Sequence, residues 1–142
     1  MKNILLTTFI CLLVNSVSAQ NDPESIIKNF FDLAGAGKYE QALETMPSTQ
    51  KFENDSSSST RLLSRLKILG DNAGEYCGYK IIEKEEISPS YINYTCLMKF
   101  LNAPHQIQFT FYKPKDTWKV LNVNFTSQAR RAPDAKRPAR KM

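Results

Sequence analysis

Ile107-Gln108-Phe109-Thr110-Phe111-Tyr112-Lys113-Pro114-Lys115-Asp116-Thr117-Trp118-Lys119-Val120 decides how the chain is read. Ile107, Phe109 and Phe111 recur at every second position, which puts them on one face of a β-strand. Pro114-Lys115-Asp116 is a turn signal, because proline cannot donate to a ladder and aspartate bonds its own backbone. Trp118, Val120, Leu121, Val123 and Phe125 make the next strand. Its apolar phase shifts at Val120-Leu121, and such a shift predicts a bulge.

The period of two continues backwards from this hairpin. Asn102-Ala103-Pro104-His105 reads as a turn, preceded by a strand with Ile92, Tyr94, Cys96, Met98 and Phe100 on one face. Pro89 marks another turn. A strand before it places Cys77, Tyr79 and Ile81 on one face and runs toward Ile87. Upstream of Glu75 the period becomes helical. Leu62, Leu63, Leu66 and Leu69 form a stripe on a helix capped by Thr60 and broken by Gly70 to Gly74. Residues 48–59 are polar and serine-rich and are expected to be a loop. Tyr39, Ala42, Leu43 and Met46 mark a short helix stopped by Pro47. Asp22-Pro23-Glu24 opens the first helix: aspartate caps, proline suits the first turn, and glutamate meets the positive end of the helix. Ile26, Ile27, Phe30, Phe31 and Ala34 are its stripe, and Gly35 and Gly37 end it. Helices followed by an antiparallel meander predict an α+β domain.

The ends of the chain read differently. Lys2, an apolar run over residues 4–17 and the small residues Val17-Ser18-Ala19 have the layout of a signal peptide cut after Ala19. The expected division is a leader at 1–19, one domain at 20–127 and a disordered basic tail at 128–142. The mature protein is expected in the periplasm or outside the cell. Arg130, Arg131, Lys136, Arg137, Arg140 and Lys141 face only Asp134, a net +5 that equals the charge of the whole chain. Residues 20–129 hold 12 basic and 13 acidic residues, so the basic balance describes a tail and not a face of the fold. The tail has no aromatic residues to stack on bases, and export removes nucleic acid as a partner. Weak contact with an anionic surface or envelope polymer fits it better.

The order of three helices and a four-stranded meander resembles the nuclear transport factor 2-like superfamily, also called cystatin-like. The resemblance covers residues 25–125. It rests on Gly37-Lys38-Tyr39-Glu40-Gln41-Ala42, similar to that superfamily's entry into the second helix, and on 109–120, similar to its final hairpin. It implies a cone: three helices on the concave face of a curved four-stranded antiparallel sheet. It also implies a hollow between sheet and helices, with Phe30, Tyr79, Tyr94, Phe109, Phe111 and Trp118 as its lining. Members use such a hollow for catalysis, for ligands, or only as a scaffold for dimerisation.

Chemistry is sparse. Isomerases and hydrolases of this superfamily pair a pocket carboxylate with Tyr or His, as base and oxyanion donor. Here Asp32 falls off the apolar stripe of its helix, and Glu83, Glu85 and Glu86 crowd one strand end. His105 is the single histidine, reads as a solvent-facing turn residue, and has no neighbouring ligand to build a metal site. No catalytic residue, metal or cofactor is therefore assigned. The expected role is an exported, non-catalytic module for a small apolar ligand or a protein partner, with a homodimer through the sheet as one form. A small isomerase or hydrolase using the cone, and an envelope protein attached by its tail, are the rivals.

Cys77 and Cys96 survive removal of the leader, and an even count in an exported chain suggests a disulfide. Two registers stay open. Pairing Tyr79 with Tyr94 places Cys77 opposite Cys96, close enough to bridge. A turn centred on Pro89 separates them unless a bulge intervenes.

Overall fold

A computed structural model describes residues 22–49 and 56–126. The leader with its cut after Ala19, the basic tail, and residues 50–55 of the expected loop lie outside the described residues. The elements run α1 (Pro23–Gly35), α2 (Tyr39–Glu44), α3 (Ser56–Asn72), β1 (Tyr76–Ser88), β2 (Tyr91–Phe100), β3 (Pro104–Tyr112) and β4 (Lys119–Thr126). The strands form one open antiparallel sheet in the order β1-β2-β3-β4, curved, with the three helices on its concave side. The α+β class and cone-like architecture expected from the sequence are those observed. No described helix is long and apolar enough to cross a membrane.

Helix α1 starts as its sequence dictates. The Asp22 carboxylate accepts from the Ser25 backbone N–H at 3.0 Å and from its hydroxyl at 2.6 Å, with Pro23 in the first turn. Its end is a double reverse bond: Gly37 donates to the Ala34 carbonyl and Lys38 to that of Leu33, each at 3.0 Å. That closure needs a left-handed residue, and Gly37 supplies it with φ of 76°.

Helix α3 departs from expectation at both ends. It begins at Ser56, inside the expected loop, so Thr60 lies within the helix and is not its cap. It also runs through Gly70 to Asn72. Gly70 is there for space, since a Cβ at this position would overlap the Tyr39 hydroxyl. Close packing against α2 offsets the roughly 1 kcal/mol of helix propensity that glycine lacks.

Strand β1 explains the curvature. It has 13 residues and its partner β2 has 10. The three extra residues are taken up in three irregularities, between Tyr76 and Gly78, Ile81 and Glu83, and Glu86 and Ser88. Cys77, Ile82 and Ile87 are thus skipped by the ladder, and all three are exposed. Each bulge bends its strand and adds right-handed twist. A fourth shift lies where the phase change predicted it: Thr110 pairs with Asn122 but Phe111 with Val120, so Leu121 has no partner.

The same register settles the disulfide question against a bridge. The turn at Pro89 and Ser90 joins Ser88 to Tyr91, and Cys96 pairs with Ile81, not with Cys77. Four residues separate Ile81 from Cys77, about 13 Å along the strand. That far exceeds the separation a bridge tolerates, about 7 Å between Cα atoms. The bulge also turns Cys77 away from the face it was expected to share with Tyr79. Both thiols are free, Cys77 exposed and Cys96 buried.

The core is the helical stripe set against alternate strand residues. Ile27, Phe30, Cys96, Ile107, Phe109, Phe111 and Val120 are all wholly buried. The free edge of β4 is closed at one point by the residues after α2. Val120 donates to the Pro47 carbonyl at 2.7 Å and accepts from the Thr49 N–H at 3.1 Å. Arg65 of α3 adds a bond to the Phe125 carbonyl at 3.3 Å.

Candidate functional site

The concave side of the sheet is closed by aromatic rings. Phe30 meets Phe31 and Phe109 edge-on with centroids 5.3 and 5.2 Å apart, and Phe31 meets Phe109 at 5.9 Å. Phe109 lies beside Phe111, whose ring meets Tyr94 at 5.8 Å. Edge-to-face pairs of this kind add stabilisation beyond area burial. Of the residues named as a lining, Phe30, Phe109, Phe111 and Tyr94 are therefore mutually packed core. Tyr79 is half-buried and stacks on Phe31 at 4.2 Å. Trp118 is half-buried and packed against the core, with the Lys113 ammonium 4.9 Å above its ring.

Polar groups gather outside this packing, along the seam between α1 and the β1–β2 ladder. Glu24, Lys28 and Asp32 are spaced by four and share a flank of α1. Lys28 and Asp32 pair at 2.6 Å, both largely exposed. Glu24 accepts from the Tyr94 hydroxyl at 3.3 Å and lies 3.6 Å from the Lys84 ammonium, which sits 5.4 Å above the Tyr94 ring. Burial raises the pKa of Tyr94 and Tyr79, and the Asp32 charge adds to the effect on Tyr79. Burial also pushes the Tyr76 hydroxyl up to about 12, with Tyr79 and Asp32 adding to it. These phenols stay protonated at neutral pH, and that of Tyr94 donates to Glu24. Asp32, the carboxylate weighed for acid–base work, is clamped by Lys28 on the outer flank of α1 and does not enter the hollow.

His105 lies on β3, half-buried, and not in a turn as expected; it pairs with Met98 and its ring meets Phe100 edge-on at 5.9 Å. The turn ends two residues earlier than its sequence suggests because Pro104 already pairs with Lys99. Burial drives the Cys96 thiol up to about 12, so it is not a thiolate at neutral pH. Among the described residues no group of three His, Cys, Asp or Glu side chains is placed to hold a metal ion.

The convex side of the sheet is the larger surprise. Strand alternation that sends Tyr94, Phe109 and Val123 inward sends their neighbours outward. Two rows cross three strands there: Thr95, Gln108 and Asn124, and Asn93, Thr110 and Asn122. Tyr91 and Tyr112 pair in the next row. Asn122, Asn124 and Tyr112 are exposed, Asn93, Gln108, Thr110 and Tyr91 are half-buried, and Thr95 alone is buried. Every one is uncharged. Charges on this side are confined to β1 (Lys80, Glu83, Glu85) and to the strand ends at Lys99 and Lys119. Sequence reasoning followed the apolar face of each strand and passed over its complement. The signal was present in the alternate positions, but which residues sit side by side follows from the register alone.

No protein-family model and no curated protein matches the chain. Among solved structures, one from Campylobacter jejuni, named as an NTF2-like transpeptidase, is similar: the match covers 71% of this chain and 98% of that one, with a TM-score of 0.55 and 19% identity. At that identity the likeness shows the fold alone, and the fold is NTF2-like.

Proposed function

We propose that the chain is an exported, non-catalytic binding module that works through the convex face of its sheet and not through the hollow. The observation that carries this reading is the contrast between the two faces. The concave one is filled by Phe30, Phe31, Phe109 and Phe111, each no more than 1% exposed, with no carboxylate among them. The convex one presents the neutral donors and acceptors of Asn93, Gln108, Thr110, Asn122 and Asn124 along the ladder, while Thr95 is buried among them. A module of this kind needs no cofactor. The leader at 1–19 supports delivery beyond the cytoplasmic membrane, and the +5 tail supports weak attachment to an anionic envelope surface as a second contact.

Hydroxyl-radical footprinting tests the central claim. The mature protein is oxidised alone and with an isolated envelope fraction. Protection is expected at Tyr91 and Tyr112 and not at Tyr39 or Trp118. Equal oxidation of Tyr91 and Tyr112 in both samples overturns the reading.

A further inference from the structure

We propose that the occupant of the convex face is an extended, neutral glycan chain; the inference rests on the binding-module reading above. Three observations select this ligand class. The first is charge. The two central rows carry amides and hydroxyls only, and the charged side chains stand at the margin on β1 and the strand ends. An anionic polymer finds no cation in the centre, whereas an uncharged one meets no unpaired charge to desolvate.

The second is hydrogen-bond capacity. An amide or hydroxyl is at once donor and acceptor, as is each hydroxyl or acetamido group of a sugar. Asn93 donates to Glu85 at 3.3 Å. Among the described residues Gln108, Thr110, Asn122 and Asn124 make no side-chain hydrogen bond, so their capacity is available to a ligand.

The third is form. Same-face residues recur at about 7 Å along a strand and neighbouring strands lie about 5 Å apart, so rows Thr95, Asn93 and Tyr91 across β2 to β4 span about 14 by 10 Å. The paired Tyr91 and Tyr112 stand at one end, and Tyr112 is 40% exposed. Their rings offer an apolar platform with a polar tip, suited to the C–H face and hydroxyl edge of a sugar. A protein partner fits less well. Interface cores are rich in aromatic residues, Met and Arg, and the centre of this face has none.

Affinity electrophoresis of the mature full chain through native gels containing hydroxyethyl cellulose or glycol chitin, both neutral, tests the proposal. Retardation is expected in at least one polymer relative to a plain gel. It should be unchanged from low to high salt and unchanged on deletion of residues 130–142, because no charge is involved. The double change Gln108→Ala with Asn122→Ala should weaken retardation about tenfold. Both side chains point away from the core, and an unaltered thermal midpoint verifies the fold. Thr110→Arg, which plants a charge between the rows, should act in the same direction. Absence of retardation in both polymers, retardation that fades with salt, or retardation that the variants leave intact overturns the proposal. If the gels fail while envelope material still protects Tyr91 and Tyr112, the glycan is wrong, the convex-face reading stands, and the partner is a protein. If both fail, both readings fall.

Discussion

Gly35 shows how a single missing methyl group sets the approach of α1 to the sheet. A Cβ there would lie 2.6 Å from Cδ1 of Tyr76 and closer still to Cε1. Alanine would gain about 1 kcal/mol of helix propensity, but overpacking costs about 1–3 kcal/mol. Gly35→Ala is therefore expected to lower stability by about 1 kcal/mol in urea unfolding, and Tyr76→Ala in the same chain should remove that increment. The thiols give a second test at this scale. In the native mature protein a thiol reagent should label Cys77 alone, and Cys96 should react only after unfolding; a chain unreactive until reduced would restore the disulfide. Alkaline pH gives a third. Tyr76 ordinarily titrates near 10 and is raised to about 12, and Cys96 is raised from 9.0 to about 12. In both, the protonated form is favoured by folding. Their contribution is thus complete below pH 9 and is lost as pH rises through the window to about 12. The thermal midpoint should fall across that window, and less steeply in Tyr76→Phe.

At the scale of elements, β1 and β4 determine the form of the sheet. Each bulge on β1 adds a residue that the ladder skips, and the strand coils because three occur in 13 residues. The bulges also blunt an exposed edge that would otherwise invite pairing with another chain. The opposite edge is covered where Pro47 and Thr49 bracket Val120. Thr49 Oγ1 is buried there without a partner among the described residues. Replacing it by valine removes an unsatisfied oxygen at nearly constant volume. Thr49→Val is expected to raise stability by about 1 kcal/mol in the same unfolding assay, and a loss would show that the hydroxyl is satisfied in solution. The helical stripes and three of the four strand faces were readable from periodicity, because burial of one face imposes the pattern directly. The start of α3 was not. Serines in Ser56–Ser59 have low helix propensity, and the Leu62 and Leu66 side chains that commit the helix to the core lie downstream of them.

For the molecule as a whole, the two sides of the sheet differ in kind, an aromatic packed side and an uncharged polar one. Phe109 stands at the centre of the filled side, wholly buried and in contact with three aromatic rings. Phe109→Ala should cost about 3–5 kcal/mol, read as a large drop in thermal midpoint. The seam between α1 and the β1–β2 ladder is a structural latch by comparison: Glu24 and Lys84 are both about half exposed, and such pairs contribute little. Its members were not legible beforehand, since Glu24 and Tyr94 are separated by 70 residues and nothing local links them. The convex rows were half legible. Their uncharged character can be read from alternate positions of each strand, but their juxtaposition cannot.

Residue order was enough to establish the helices, the strands, the phase break at Leu121 and the α+β class, because each rests on a local period that burial enforces along a short segment. Register was another matter. Which residue faces which depends on how many residues each strand discards into bulges, and those same bulges bend the sheet toward the helices. Cys77 and Cys96 were parted, and Thr95, Gln108 and Asn124 brought into one line, by that count of skipped residues. A single slip moves every cross-strand neighbour at once, so tertiary packing alone could choose among the registers.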